Sequence, residues 1–416
     1  MARNENEMEA LEPVEHPSFA DLGVLPVFQD RLKEREITIP TEVQERIIPR
    51  LEAGESLVFS SPTGTGKTFA YLLPLIQTKL LAKGGASGPV ILICAPTYEL
   101  CSQIKGEADF LLASVKAALP LPRCSLLIGS TSLSRQIEGL KKDRPLMATG
   151  NPGRLLLLAR MGKLKLKSTE ALILDEGDRL VSDELFAETS ELVRLIGDSR
   201  RGGKAEGGPQ IVACSATFPS KSRERLLSLM GGLSGGGVYT GEAGENEVLR
   251  KHVEHWAFFC EGRRKISLLR SFISAADPKK ALIFTGRGGQ VGNIVAQLQH
   301  HKLAAGGLWG DMDKKSRKQA LDDFRSGSIR FLVTSDLAAR GLDISGISHV
   351  IALDISADPD AYVHRAGRTA RAGKRGIMVT IGDEVELRRL STLEKRLGIT
   401  VYPKELYAGR IASPAL

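Results

Sequence analysis

The sequence predicts an α/β protein built as two tandem domains, each a parallel sheet with helices on both faces, and three observations carry that expectation. Short apolar or β-branched runs recur at residues 56–60, 90–95, 125–128 and 172–175, and again at 281–285, 331–334 and 349–353. Amphipathic stretches of helical period lie between them, and strands that alternate with helices imply parallel sheets buried on both sides. The chain has 416 residues, which at roughly 100–200 residues per domain calls for two cores. With 42% hydrophobic and 25% charged residues, the composition excludes disordered, collagen-like and coiled-coil chains.

Taken in order, residues 1–17 are acidic and polar and read as a flexible tail, and 18–236 read as the first domain. The charged, glycine-rich stretch 198–208 is expected to be a surface loop inside it, because the apolar run 211–214 follows at once. Residues 231–244, GGLSGGGVYTGEAG, are the most glycine-rich of the chain and place a flexible joint at 237–248. A second domain at 249–408 and a tail at 409–416 complete the division.

Charge separates the halves. Residues 1–245 carry 29 basic against 31 acidic side chains, whereas 246–416 carry 28 against 18. A basic second half suits a polyanion such as nucleic acid, although a solvated basic surface explains charge alone equally well. Cys94, Cys101, Cys124, Cys214 and Cys260 form no CxxC pair, which argues against structural zinc. Three of them, Cys94, Cys101 and Cys214, adjoin apolar runs and are expected as small core side chains. The start resembles no signal peptide, and no apolar run approaches the roughly 18 residues of a bilayer span. No membrane association and a cytoplasmic location are therefore expected.

The strongest chemical signal is SSPTGTGKT at residues 60–68, between a strand and a helical pattern. Glycines let backbone amides turn toward phosphate oxygens, Lys67 supplies a cation, and Thr68 offers a hydroxyl to Mg²⁺. Ser61 stands where the strict pattern has glycine. About a hundred residues on, an apolar strand ends in Asp175-Glu176. There one carboxylate can hold the metal and the other can orient or deprotonate a water, the chemistry of nucleoside triphosphate hydrolysis. In the second half, HRAGRTAR at 364–371 spaces Arg365, Arg368 and Arg371 by three, on one face if helical. Their planar forks suit a γ-phosphate.

Together these motifs resemble the DEAD-box ATP-dependent RNA helicases of superfamily two, from about Phe19 to about Gly382. The resemblance implies two RecA-like domains, ATP and Mg²⁺ as cofactors, and single-stranded or structured RNA as partner. IPTEVQ at 39–44 resembles the Q motif, in which Gln44 would read the adenine edge with Phe19 as the upstream aromatic. Residues 61–68 resemble motif I, so that Ser61, Thr63, Gly64, Thr65, Gly66, Lys67 and Thr68 would hold the nucleotide. Pro96 and Thr97 (motif Ia), Gly129 (the double-glycine element) and Pro152, Gly153 and Arg154 (motif Ib) would touch RNA backbone. Asp175, Glu176 and Asp178 stand at motif II, Ser215 and Thr217 at motif III, Arg317 in an RNA-contacting element, and Arg340 and Asp343 in motif V. Asp178, Ser215, Thr217 and His364 would couple hydrolysis to RNA, Asp343 would approach the ribose, and Arg368 and Arg371 the γ-phosphate.

The departures from the family pattern are Gly177 for alanine in motif II, Tyr98 for the arginine of motif Ia, Asn151 for threonine, Ser130 for glycine, and Ile37 for an aromatic. Trp309 and Lys314 replace a histidine and a glutamine. The expectation is an RNA-dependent ATPase that unwinds short duplexes without base readout, a monomer that relies on partner proteins for targeting. A P-loop kinase or metabolic ATPase is opposed by HRAGRTAR. An RNA clamp that has lost hydrolysis is opposed by Lys67, Asp175, Glu176, Arg368 and Arg371.

Overall fold

Each run expected to be a strand coincides with one to within a residue or two at either end. The computed structural model describes residues 17–61, 64–81, 88–115, 123–201, 208–216, 218–231, 238–242, 247–286, 288–310, 312–339, 344, 346–356, 359–370 and 375–414. Among these, β1 (Ser56–Ser60), β2 (Ile91–Cys94), β3 (Cys124–Leu127), β4 (Met147–Gly150), β5 (Ala171–Asp175), β6 (Gln210–Ser215) and β7 (Val238–Glu242) form one sheet. Its order is β3-β4-β2-β5-β6-β1-β7, and every pairing is parallel.

A second sheet holds β8 (Val253–Phe259), β9 (Ala281–Phe284), β10 (Ala305–Leu308), β11 (Phe331–Thr334), β12 (His349–Ala352), β13 (Gly376–Gly382), β14 (Val401–Tyr407) and β15 (Arg410–Ala412). The order is β10-β11-β9-β12-β13-β8-β14-β15, and only the β14–β15 pair is antiparallel. No helix among the described residues is long and apolar enough to cross a membrane.

Successive strand residues point to opposite faces, and the packing follows that alternation. Leu57, Phe59, Ile91 and Ile93 join one cluster, whereas Val58, Leu92 and Cys94 join the cluster on the other face. In the second sheet Leu282 and Phe284 lie on one side, and Ala281 and Ile283 on the other. Both sheets are thus sandwiched between helices, which is why their strands read as unbroken apolar runs.

Two boundaries differ from expectation. Within the stretch read as a joint, Val238–Glu242 pairs with β1 as the edge of the first sheet, and Glu247–His252 is helical. The β-forming triplet Val238-Tyr239-Thr240 outweighs the surrounding glycines. At the other end, Arg410–Ala412 turns back against β14 instead of trailing as a tail.

His349, which begins β12, meets the edge of the Phe272 ring at 6.0 Å, and burial holds its imidazole down at about 4. The folded state therefore favours the neutral ring, so this contribution to stability is complete above the ordinary histidine range and fades as pH falls from about 6.5 toward 4. Over that range His349→Gln should lose about 2–3 kcal/mol less stability than the parent. Denaturant unfolding at pH 7 and pH 4.5 checks it.

Candidate active site at the strand tips

The first sheet brings the motif residues together through register alone. Its central strands β5, β6 and β1 are parallel neighbours, with Asp175 opposite Cys214 and Ser60 opposite Ser215. Motifs I, II and III therefore leave the same edge side by side, where open α/β sheets bind ligands.

Motif I is held from outside. Gly64 and Gly66 have positive φ, 81° and 89°, a region open to glycine at no cost. Gly66 caps the helix Lys67–Leu75. Thr41 and Gln44 form the capping box of the helix Glu42–Glu52 and grip the loop as well. Thr41 Oγ1 donates to the Thr65 carbonyl at 2.7 Å, and Gln44 Nε2 to the Gly66 carbonyl at 3.2 Å. Inside the loop the Ser61 and Thr65 hydroxyls lie 2.7 Å apart, and Lys67 Nζ folds onto the Ser61 carbonyl. The Q-motif glutamine is thus physically joined to the phosphate loop. Phe19, 4% exposed, belongs to the core cluster that holds Leu22, Val24 and Phe28 and also Phe69 of the helix after the loop.

Asp175 ends β5, nearly buried, and Glu176 follows with φ 51°, in the left-handed region. That turn sends the neighbouring carboxylates apart. Asp175 accepts from the Glu176 amide (2.9 Å), the Cys214 thiol (3.3 Å) and the Tyr71 hydroxyl (2.8 Å). Burial pushes the thiol and the phenol up, so both remain protonated donors. Neither was legible as a site residue. Tyr71 reads as one apolar position of a helix, and Cys214 as a core thiol.

Glu176 Oε2 is buried without a hydrogen bond among the described residues. Burial, reinforced by the Asp178 carboxylate and opposed by the Arg368 guanidinium, pushes its carboxyl up to about 7. Asp178 accepts from Ser215 Oγ at 2.5 Å, tying motif II to motif III. Gly177, where the family has alanine, lies under Leu226 and Phe218, which would stand 3.3 and 3.4 Å from an added Cβ.

Arg368 belongs to the second lobe, and its charge is among those that favour the ionised form of Glu176. The helix Pro359–Ala366 stops before it, which corrects the expected common face for Arg365, Arg368 and Arg371. The chain turns at Gly367-Arg368, and Arg365, 3% exposed, points into its own lobe. It donates to both Asp336 oxygens at 2.7 and 2.6 Å and to the Asp354 side chain and carbonyl at 3.0 and 2.8 Å. His364 lies in the last turn of that helix. Thr63, Thr217, Arg340, Asp343 and Arg371 lie outside the described residues.

The expected RNA contacts of the first lobe follow the C-terminal ends of β2, β3 and β4. Thr97 caps the helix Tyr98–Leu112, accepting from the Leu100 amide at 3.3 Å, and Pro152 and Gly153 open the helix Pro152–Arg160. Arg154 spends its fork on the carbonyls of Gly129 (3.0 Å) and Thr131 (3.2 Å) and on Gln136 Oε1 (2.8 Å), so it shapes the neighbouring loop. Arg317 reaches across the lobes to Glu99, beside Tyr98, at 2.6 Å and donates to the Ala338 carbonyl at 2.9 Å.

Gly66→Ala should raise the dissociation constant for ATP severalfold, because its Cβ collides with the Gln44 amide, whereas Gly177→Ala, in ordinary backbone geometry, should cost at most about 1 kcal/mol. Nucleotide titration and thermal unfolding check the pair. Arg317→Ala should lengthen the distance between dyes on the two lobes, read by energy transfer. The combined swap Glu99→Arg, Arg317→Glu should shorten it again, with a coupling of about 1–2 kcal/mol.

The comparisons agree with this geometry. Residues 41–226 match the DEAD/DEAH box helicase family, and 264–373 match the helicase conserved C-terminal domain. The chain is 32% identical over 376 residues to the DEAD-box ATP-dependent RNA helicase CshC of Bacillus cereus, covering 89% of this chain and 88% of that one. It is also 32% identical over 378 residues to the probable ATP-dependent RNA helicase YfmL of Bacillus subtilis, covering 89% and 92%. Among solved structures, Dbp5 of S. cerevisiae bound to RNA and ADP BeF3 superposes with TM-score 0.77 at 24% identity, covering 93% of this chain and 95% of that one. Mss116p bound to single-stranded RNA and AMP-PNP gives 0.81 at 22%, covering 95% and 81%. Two tandem RecA-like domains with the motifs of phosphate binding and hydrolysis at their shared edge make this chain a member of the DEAD/DEAH box helicase family.

Proposed function

We propose that this chain is an ATP-dependent RNA helicase that hydrolyses ATP in the cleft between its lobes and uses the cycle to open short duplexes or remodel RNA–protein assemblies. The observation that carries the reading is the register that brings motifs I, II and III to one edge of the first sheet, with Arg317 of the second lobe bonded to Glu99 of the first. Hydrolysis then depends on the two lobes coming together, and RNA lying across both can favour that arrangement. By linkage, ATP and RNA each tighten the binding of the other.

The division of labour follows from position. The amides of the glycine loop and Lys67 hold the phosphates, and Gln44 reads the base from the segment that grips the loop. Hard oxygens at Thr68 and Asp175, beside Glu176 Oε2, which pairs with Arg179 at 4.0 Å but accepts no hydrogen bond among the described residues, fit a magnesium ion. A magnesium ion held by these oxygens would supply charge neutralisation to the phosphates. Glu176 Oε2 orients the attacking water and accepts its proton, a role suited to a carboxyl raised toward neutrality. Arg368 supplies charge to the transferring phosphoryl group, with Arg371 and Asp343 assigned by motif.

The bond Ser215–Asp178 carries the state of motif II to motif III. RNA phosphates are met by Pro96, Thr97, Gly129, Pro152 and Gly153, several of them at helix N-termini, which favour anions. Such contacts read backbone, so binding is sequence-blind and salt-dependent. The protein acts as a monomer in the cytoplasm, with partner proteins directing it to its RNA.

ATP turnover with and without single-stranded RNA tests the reading. RNA should stimulate turnover, and Glu176→Gln should lower it by about 10²–10⁴-fold while nucleotide and RNA still bind. Turnover indifferent to RNA, or unimpaired in Glu176→Gln, would overturn it.

A further inference from the structure

Three donors converge on the carboxylate that ends β5, and two of them are side chains that no step of hydrolysis uses. Tyr71 lies on the helix after the phosphate loop and is 104 residues away in sequence, yet its buried hydroxyl donates to Asp175 Oδ2 at 2.8 Å. Cys214, one residue before motif III, sends its thiol to Oδ1 at 3.3 Å, and the Glu176 amide reaches the same oxygen at 2.9 Å. One oxygen is thus held by the helix that follows motif I, and the other by motif II and the strand that leads into motif III.

An aspartate left to itself turns easily, because its terminal torsion lies in a broad, two-fold well. Donors on both oxygens remove that freedom. Each oxygen accepts at about two positions, so Oδ2, with one donor, still has room to accept a proton from water around a cation. The phenol is the stronger holder, since an O–H bond to a carboxylate outweighs a thiol contact at greater distance.

We propose that Tyr71, assisted by Cys214, is a positioning residue that fixes the Asp175 carboxylate for magnesium before nucleotide arrives. This rests on the reading of Asp175 as the magnesium-holding residue. A tyrosine that only fills the core would affect stability alone, whereas a positioning tyrosine must affect the part of nucleotide affinity that magnesium supplies.

The test measures the affinity of a fluorescent ADP analogue in EDTA and across a magnesium titration, with no turnover involved. For Tyr71→Phe, affinity in EDTA should stay within about twofold of the parent. The magnesium concentration for half-saturation should rise about tenfold, the lower end of what lost support behind a metal ligand costs. Cys214→Ala should shift it about two- to threefold in the same direction and serves in place of Tyr71→Phe if that variant does not fold. Cys214→Ser, which keeps a donor, should match the parent. An unchanged magnesium requirement in both Tyr71→Phe and Cys214→Ala would overturn the proposal, as would an equal loss in EDTA and in magnesium. A requirement untouched by Asp175→Asn would overturn the underlying assignment of the metal as well.

Discussion

Opposite charges facing each other across the cleft are the interaction on which the rest of the molecule depends. The first lobe presents carboxylates at the ends of its strands, and burial leaves Glu176 reluctant to ionise. The second lobe answers with guanidinium groups, Arg368 toward Glu176 and Arg317 bonded to Glu99. Neither set is complete by itself. A buried carboxylate without a counter-charge is costly, and Arg368 adds to the charge of Arg179, 4.0 Å from Glu176 Oε2 in the same lobe, in making the ionised form of the base accessible. Bringing the lobes together and readying the site are therefore one physical event.

The end of the preceding helix sets Arg368 apart from Arg365. Had the helix continued past Ala366, Arg365 and Arg368 would share a side and compete for the same acceptors. Instead Arg365 is bound on four sides by Asp336 and Asp354, anchoring the turn that carries Arg368. Asp336 lies in motif V, so the anchor also holds the two second-lobe motifs in fixed relation.

Much of this was legible in the sequence, for physical reasons that also mark where legibility stopped. Parallel strands buried on both faces give continuous apolar runs, so β1, β5 and β11 could be placed almost to the residue. The phosphate loop announced itself because few residues besides glycine adopt its backbone. Tyr71 and Cys214 were hidden because each sits in an apolar pattern and acquires its role only through a partner far along the chain. The bond from Arg317 to Glu99 joins separate lobes, and no local period encodes it. The motif position of Phe19 did not reveal that it joins Leu22, Val24 and Phe28 in the core. The strand Val238–Glu242 was masked by its glycine-rich surroundings, although its own residues favour extension.

The hairpin that closes the second sheet bears on how the molecule behaves in a crowd. A long, flat outer strand would offer a ladder of unsatisfied amides and carbonyls to any neighbouring copy. Here the outermost strand, β15, is three residues long and begins with the exposed Arg410. A second chain arriving at that side would find only a bond or two to extend and a positive charge at the point of approach. The brevity of the last strand thus works as a guard against self-association along that edge, leaving crowded solutions tolerable to a protein whose sheets are otherwise built to add strands in register.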